Sequence, residues 1–262
     1  MPPRAELTFL GHSTVLIEAG GLRILTDPVL FDRVGLLRRV ANPLDPRLHA
    51  AIDLVLLSHL HLDHFDVPSL RELGPDVDIV VPAGAGRLLE GFGFANVSEL
   101  PVGIELRRGA VTISATPARH GGFRPPFGPR AGAVGYVIQA AAERIYFAGD
   151  TDLFPGMADL APIDVALLPV WGWGPSLGRG HLDPARAATA VGLLQADLAV
   201  PIHWGTLWPF GLGRVRPDRL AEPPLEFAKR AAQTHPGSVV QVTPPGHRVT
   251  VASRDDRGPR RP

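Results

Sequence analysis

The segment LVLLSHLHLDHFD places His59, His61, Asp63 and His64 within six residues, directly behind an apolar run. A buried polar group that is neither hydrogen-bonded nor metal-bound is costly. Three imidazoles and a carboxylate packed at the end of an apolar strand therefore need a shared partner. In an extended backbone, residues two apart point the same way. His59 and His61 then reach one point together, while Asp63 and His64 follow as the chain turns and face a second. Imidazole and carboxylate ligands suit Zn²⁺, and also Mn²⁺ or Fe²⁺. A lone histidine here would read as a capping or satisfied core residue, but the cluster reads as a cation site.

Composition narrows what can surround such a site. The chain has 262 residues, 45% hydrophobic and 20% charged, which excludes the polar, highly charged regime of disordered chains. With no cysteine there is no disulfide scaffold, no thiolate ligand and no cysteine nucleophile. Twenty-six basic residues balance 26 acidic ones, which argues against nucleic acid as the main partner. No run approaches ~18 uninterrupted apolar residues, so no spanning helix is expected. The opening MPPRAELTFLGHSTVLIEAG lacks the pattern of a signal peptide, and the expected location is cytoplasmic. Oligomeric state is left open.

Short aliphatic and β-branched runs predict strands at Leu7–Leu10, Thr14–Glu18, Leu22–Thr26, Leu54–Ser58, Asp78–Val81 and Val111–Ala115. Others follow at Ala133–Gln139, Arg144–Ala148, Val165–Val170, Leu198–Ile202 and Val239–Val242. Gly20-Gly21 signals a hairpin. Helices are expected over Pro68–Leu73, Ala85–Gly91, Pro184–Gln195 and Pro224–Thr234, the third with Asp183 as its cap. Pro28–Ala50, Trp171–His181 and Trp204–Pro223 read as long loops. Residues 1–252 read as one α/β domain, and 253–262 as a disordered tail.

H-x-H-x-D-H at the end of an apolar strand resembles the signature of the metallo-β-lactamase fold superfamily. Three further elements of that pattern follow in order: His120 in TPARH, Asp150 in RIYFAGD and His203 in LAVPIHW. The resemblance covers about residues 6–243. It implies a four-layer αββα sandwich with two divalent metal ions at one edge of the sheets, Zn²⁺ first and Mn²⁺ as the alternative. By that resemblance His59, His61 and His120 hold one ion, Asp63, His64 and His203 hold the other, and Asp150 bridges both. The missing cysteine departs from the true β-lactamases that have a cysteine ligand. His61 departs from the flavodiiron proteins, which have glutamate there. The inserted domain or basic arm of RNA-cleaving members has no counterpart.

FLGHSTVLIE followed by ILTDPVL resembles the branch that contains the L-ascorbate-6-phosphate lactonase and the N-acyl-phosphatidylethanolamine-hydrolysing phospholipase D. That branch has a histidine before the first hairpin, an aspartate ending the next strand, and a histidine before a helix beginning D-P-x-x-A. Here these are His12, Asp27 and His181. Asp27 reads as a carboxylate orienting a ligand histidine, or as a turn-forming Asp-Pro. His12 has the same supporting role, or is a satisfied core residue. His181 is a candidate catalytic residue, contacting a leaving group or substrate phosphate, or belongs only to the helix start. Asp63 is the second candidate catalytic residue.

Trp171, Trp173, Trp204 and Trp208 fall in the two late loops and, with Phe210 and Leu212, form a candidate apolar substrate mouth or pack the loops onto the body. Arg119, Arg124 and Arg130 are candidates for an anionic group or for the solvated surface. His49, His235 and His247 are expected at the surface. The expected reaction is hydrolysis of a phosphodiester, a phospholipid-like substrate or a lactone or other ester by a hydroxide bridging the ions. A small-molecule or lipid-like substrate is the expected partner. The competing readings are a mononuclear iron oxidoreductase of the same fold, like the persulfide dioxygenases, and a non-catalytic metal-binding protein.

Overall fold

Gly20 and Gly21 both adopt positive φ, 59° and 82°, which is the backbone that a two-residue hairpin turn requires. They join β2 (Thr14–Ala19) to β3 (Leu22–Thr26), and β1 (Glu6–Gly11) precedes them. Next come β4 (Arg33–Val34), β5 (Leu37–Arg39), β6 (Leu54–Leu56), α1 (Val67–Leu73), β7 (Asp78–Val81), α2 (Gly86–Gly91) and β8 (Val97–Glu99). The second half of the chain begins with β9 (Glu105–Arg108), β10 (Val111–Pro117), β11 (Val134–Ala140), β12 (Glu143–Phe147) and β13 (Val165–Pro169). It ends with α3 (Pro184–Leu194), β14 (Leu198–Ile202), β15 (Leu207–Pro209), α4 (Glu222–Thr234), β16 (Val239–Val240) and β17 (His247–Val249). This computed structural model describes residues 5–124, 126, 128–141, 143–212 and 215–249; the expected tail, 253–262, lies outside them.

Two seven-stranded sheets result, in the orders β17-β1-β2-β3-β6-β7-β8 and β16-β14-β13-β12-β11-β10-β9. Each is antiparallel on one side and parallel on the other. Side-chain alternation along β6 shows why the layers stack. Leu54 and Leu56 enter the core shared with the second sheet, while Val55 and Leu57 face α1 and α2 beside Phe65, Leu70 and Leu89. On the second sheet, α3 buries Ala187, Val191 and Leu194, and Asp183 caps it by accepting from Arg186 N at 2.8 Å. Helices thus cover the outer faces of two packed sheets, the αββα arrangement expected.

The reading of Pro28–Ala50 and Trp204–Pro223 as loops needs correction. β4, β5 and β15 pair into a small third sheet, with Leu207 opposite Arg39 and Pro209 opposite Leu37. Strands of two or three residues are too short to show a period, and alternating arginines hid this one. β8, β9 and β17 were likewise unforeseen.

Parallel strands leave their carboxyl ends at one edge, where ligands of layered α/β proteins bind. Asp27 follows β3, His59 follows β6, Asp150 follows β12 and His203 follows β14. His120 follows β10, so the edge collects groups from both sheets.

Candidate metal centre

Two groups of imidazoles meet at that edge. His59 Nε2 lies 3.0 Å from His61 Nδ1, which lies 3.1 Å from His120 Nε2. His64 Nε2 lies 3.1 Å from His203 Nε2, and Asp63 Oδ2 is 3.7 Å from both. Asp150 stands between the groups. Its Oδ2 is 3.2 Å from His64 Nε2 and 3.9 Å from His120 Nε2, and its Oδ1 is 3.3 Å from His203 Nε2. All seven residues of the expected ligand set are therefore together.

The hydrogen bonds behind the rings decide which nitrogens carry protons. His120 Nδ1 donates to Gly180 O at 2.8 Å, and His203 Nδ1 to Trp171 O at 2.9 Å. His64 Nδ1 donates to Asp27 Oδ2 at 2.7 Å. Ser58 Oγ donates to the same carboxylate at 2.5 Å, so it accepts from His59 Nδ1 at 2.9 Å. With those Nδ1 protons so placed, Nε2 is the atom that His59, His64, His120 and His203 turn into the cluster, and burial favours a lone pair there on His59 and His120. His61 Nδ1 lies between His59 Nε2 and His120 Nε2 at 3.0 and 3.1 Å and can donate to only one of them, so at least one pair of facing acceptors is left for a cation. Asp150 Oδ1 is buried with no hydrogen-bond partner among the described residues, a further acceptor left for a cation. The donor set fits divalent metal ions on both counts, with Asp27 orienting the ligands from behind.

Asp27 and His12 both lie directly behind ligand side chains. Asp27 also accepts from Ser58 N at 2.7 Å, and His12 Nε2 is 2.9 Å from Asp63 Oδ2. His12 N donates to Thr206 Oγ1 at 2.7 Å, and its carbonyl accepts from His203 N at 2.7 Å, which ties the two sheets together. His12, Asp27 and His203 all hold positive φ, at 53°, 31° and 62°. Such backbone is costly for residues other than glycine and clusters where surrounding structure enforces a functional geometry. Gly149 is enforced by space: a Cβ there would lie 2.5 Å from Ser58 Cβ.

Burial and charge set the protonation of the cluster. Burial holds His59 well below the ordinary histidine range, lowers His61 to about 4, and lowers His120 as well. His64 moves the other way: burial opposes its charge, but Asp150, Asp63 and Asp27 outweigh burial and push it up. Burial likewise opposes ionised Asp63 and Asp150, yet the surrounding histidines hold both well below the carboxylate range. His181 Nδ1 donates to Gly178 O at 3.1 Å, and its Nε2 faces Asp150 Oδ2 at 3.4 Å. Burial opposes its charge too, but Asp150 raises its proton affinity.

The tryptophans divide. Trp171, Trp204 and Trp208 are buried, and their indole N–H groups donate to Gly174 O, Pro201 O and Leu212 O. They pack loops onto the body, and Trp173 alone of the four is exposed, at 41%. Arg124 is not free for an anion. It donates to Leu60 O at 3.3 Å and Phe65 O at 2.6 Å, clasping both ends of the ligand loop, and lies over the Phe65 ring. None of His49, His235 and His247 joins a candidate ligand group. Ser58 and Thr206 went unforeseen: each acts through one hydroxyl, which leaves no pattern in a sequence.

The β-lactamase superfamily domain model matches residues 22–204. A metal-dependent hydrolase of Aeropyrum pernix is 30% identical over 262 residues, covering 92% of this chain and 96% of that one. An N-acyl-phosphatidylethanolamine-hydrolysing phospholipase D of Caenorhabditis elegans is 30% identical over 231 residues, covering 78% of this chain and 64% of that protein. Among solved structures, the metallo hydrolase Igni18 of Ignicoccus hospitalis superposes with a TM-score of 0.72 at 24% identity, covering 94% of this chain and 97% of that one, a likeness of fold. With the matched domain, these relatives and a histidine–aspartate cluster able to hold metal, the chain belongs to the β-lactamase superfamily as a metal-dependent hydrolase.

Proposed function

We propose that the chain is a binuclear hydrolase of ester-type bonds, with phosphodiesters and phospholipid-like molecules ahead of lactones. The observation that carries this reading is the convergence of imidazole ring nitrogens from two sheets on either side of Asp150. His59, His61 and His120 would hold one ion, Asp63, His64 and His203 the other, and Asp150 both. Zinc is the first choice for such a ligand set and manganese the second. When bound, the ions supply a water of lowered pKa and a Lewis acid for developing negative charge.

The chain's own groups divide the remaining work. Asp27 fixes His64 directly and His59 through Ser58, so the ligand nitrogens keep their aim. Asp63, hydrogen-bonded by His12, stays ionised and adds negative charge to the second group. His181 keeps its Nδ1 proton on Gly178 O, and Asp150 raises its affinity for a second proton at Nε2. From there it can protonate a leaving oxygen or bind a substrate phosphate. The phospholipase relative supports a phosphodiester with apolar substituents. Residues 1–252 form one domain in this reading, and the location is cytoplasmic.

Metal analysis of the purified protein, followed by a hydrolysis screen of phosphodiester and lactone panels with that metal restored, tests the proposal. Asp150→Asn and His61→Ala should lose metal and turnover together. Turnover that survives the loss of metal would end the reading. A single iron with oxygen uptake would favour an oxidoreductase, and full metal occupancy without any turnover a binding protein.

A further inference from the structure

We propose that the small sheet of β4, β5 and β15 is a docking surface for an anionic lipid bilayer, set beside the metal centre. The turn and the stretches flanking its strands expose Leu36 at 85%, Phe210 at 67%, Val40 at 49%, Phe31 at 42% and Leu212 at 39%. Scattered apolar residues are normal on a surface, but a concentration on one small element marks an interaction site. Phe210 N donates to Leu36 O at 3.0 Å, so the two most exposed side chains sit on bonded neighbours. The same face opens into a cleft of ≈ 500 Å³ lined by Asp32, Arg38, Arg39, Val40, Trp208 and Phe210, where charged and apolar side chains meet.

Charge selects the partner. Arg33 lies over the Phe210 ring, 5.4 Å from its centroid, and Arg38 is exposed beside it. Neither has an ion pair among the described residues. Asp32 is exposed on the same segment and lies within the field of buried Arg39 without an ion pair among the described residues, so the exposed charge here is two arginines against one aspartate, and Asp218 pairs with Arg216. Apolar tips between unpaired arginines suit the boundary of an anionic bilayer. A two-fold contact with a second copy centred here would instead set these arginines against one another.

Position links docking to the site. A Cβ on Gly35, at the hairpin tip, would touch Leu62 Cδ1 at 3.4 Å, and Leu62 stands between His61 and Asp63. A bilayer meeting Leu36 therefore meets the ligand loop as well. The inference goes beyond the hydrolytic reading, and its test reads binding alone, so either can fail without the other.

The test is cosedimentation of the metal-loaded protein with vesicles of phosphatidylcholine, with and without phosphatidylglycerol. Binding to the anionic vesicles is expected, weakening as salt rises. Leu36→Asp should lower the partition coefficient roughly 10- to 100-fold, the worth of one buried leucine. Arg33→Gln and Arg38→Gln should each lower it about fivefold. Thermal melts of each variant check that it folds. Absence of binding to either vesicle, equal binding of all variants, or a concentration-dependent dimer that Leu36→Asp breaks would overturn the proposal.

Discussion

The two ligand groups are built from similar rings but live in different surroundings. His59, His61 and His120 include no carboxylate of their own, and His61 and His120 are only partly buried. Asp63, His64 and His203 are buried throughout and backed by His12. Burial lowers the proton affinity of the first group, whereas carboxylates raise that of His64. The first candidate group is the more open and holds only imidazoles; the second is closed and holds a carboxylate. An ion in the second would have more negative charge beside it and fewer routes out.

Removing the side chain common to both cages should have the largest effect. Asp150→Asn is expected to reduce bound metal at both positions and bring turnover to background, read by elemental analysis and initial rates. A variant retaining both ions would show that Asp150 does not bridge. Next in size, Asp27→Asn disturbs the carboxylate behind His64 and, through Ser58, behind His59. Both apparent metal affinities should fall by about 10- to 100-fold in chelator competition. If only one falls, the shared support does not exist. Ser58→Ala removes the acceptor of His59 Nδ1 but keeps the direct bond between Asp27 and His64, so it should weaken the affinity of the first group by about tenfold and that of the second by less.

The smallest effect is one of pH in the chelated protein. His61 is lowered to about 4 from 6.5, so below pH 6.5 the unfolded chain binds a proton that the folded one refuses. This residue makes stability fall as pH drops from 6.5 toward 4. His64, raised, contributes with opposite sign: its contribution is complete below 6.5 and disappears as pH rises through its folded value. Urea midpoints of the wild type and His61→Asn over this range should diverge, the variant sloping less. Parallel slopes would remove the contrast between the cages.

The candidate ligands were legible because their chemistry is written in side-chain type. His59, His61, Asp63 and His64 stand side by side, and His120, Asp150 and His203 each close an apolar run. The layers were legible for a related reason, since the β-branched runs and their glycine turns repeat. What escaped depends on tertiary neighbours. Ser58 matters because Gly149 lets β12 approach it, and Arg124 because two carbonyls of the ligand loop face its guanidinium. The small sheet escaped for want of length, and indole position relative to solvent cannot be read from four tryptophans in a row of loops.

The bond from His203 N to His12 O, with Gly149 pressed against Ser58, places the metal centre on a seam. Neither half of the chain owns a finished cage. Metal held by these groups would bind only once the halves have docked, and its release would accompany any parting of the halves. Bound metal then serves as a clasp, and its occupancy as a gauge of whether the sandwich is shut.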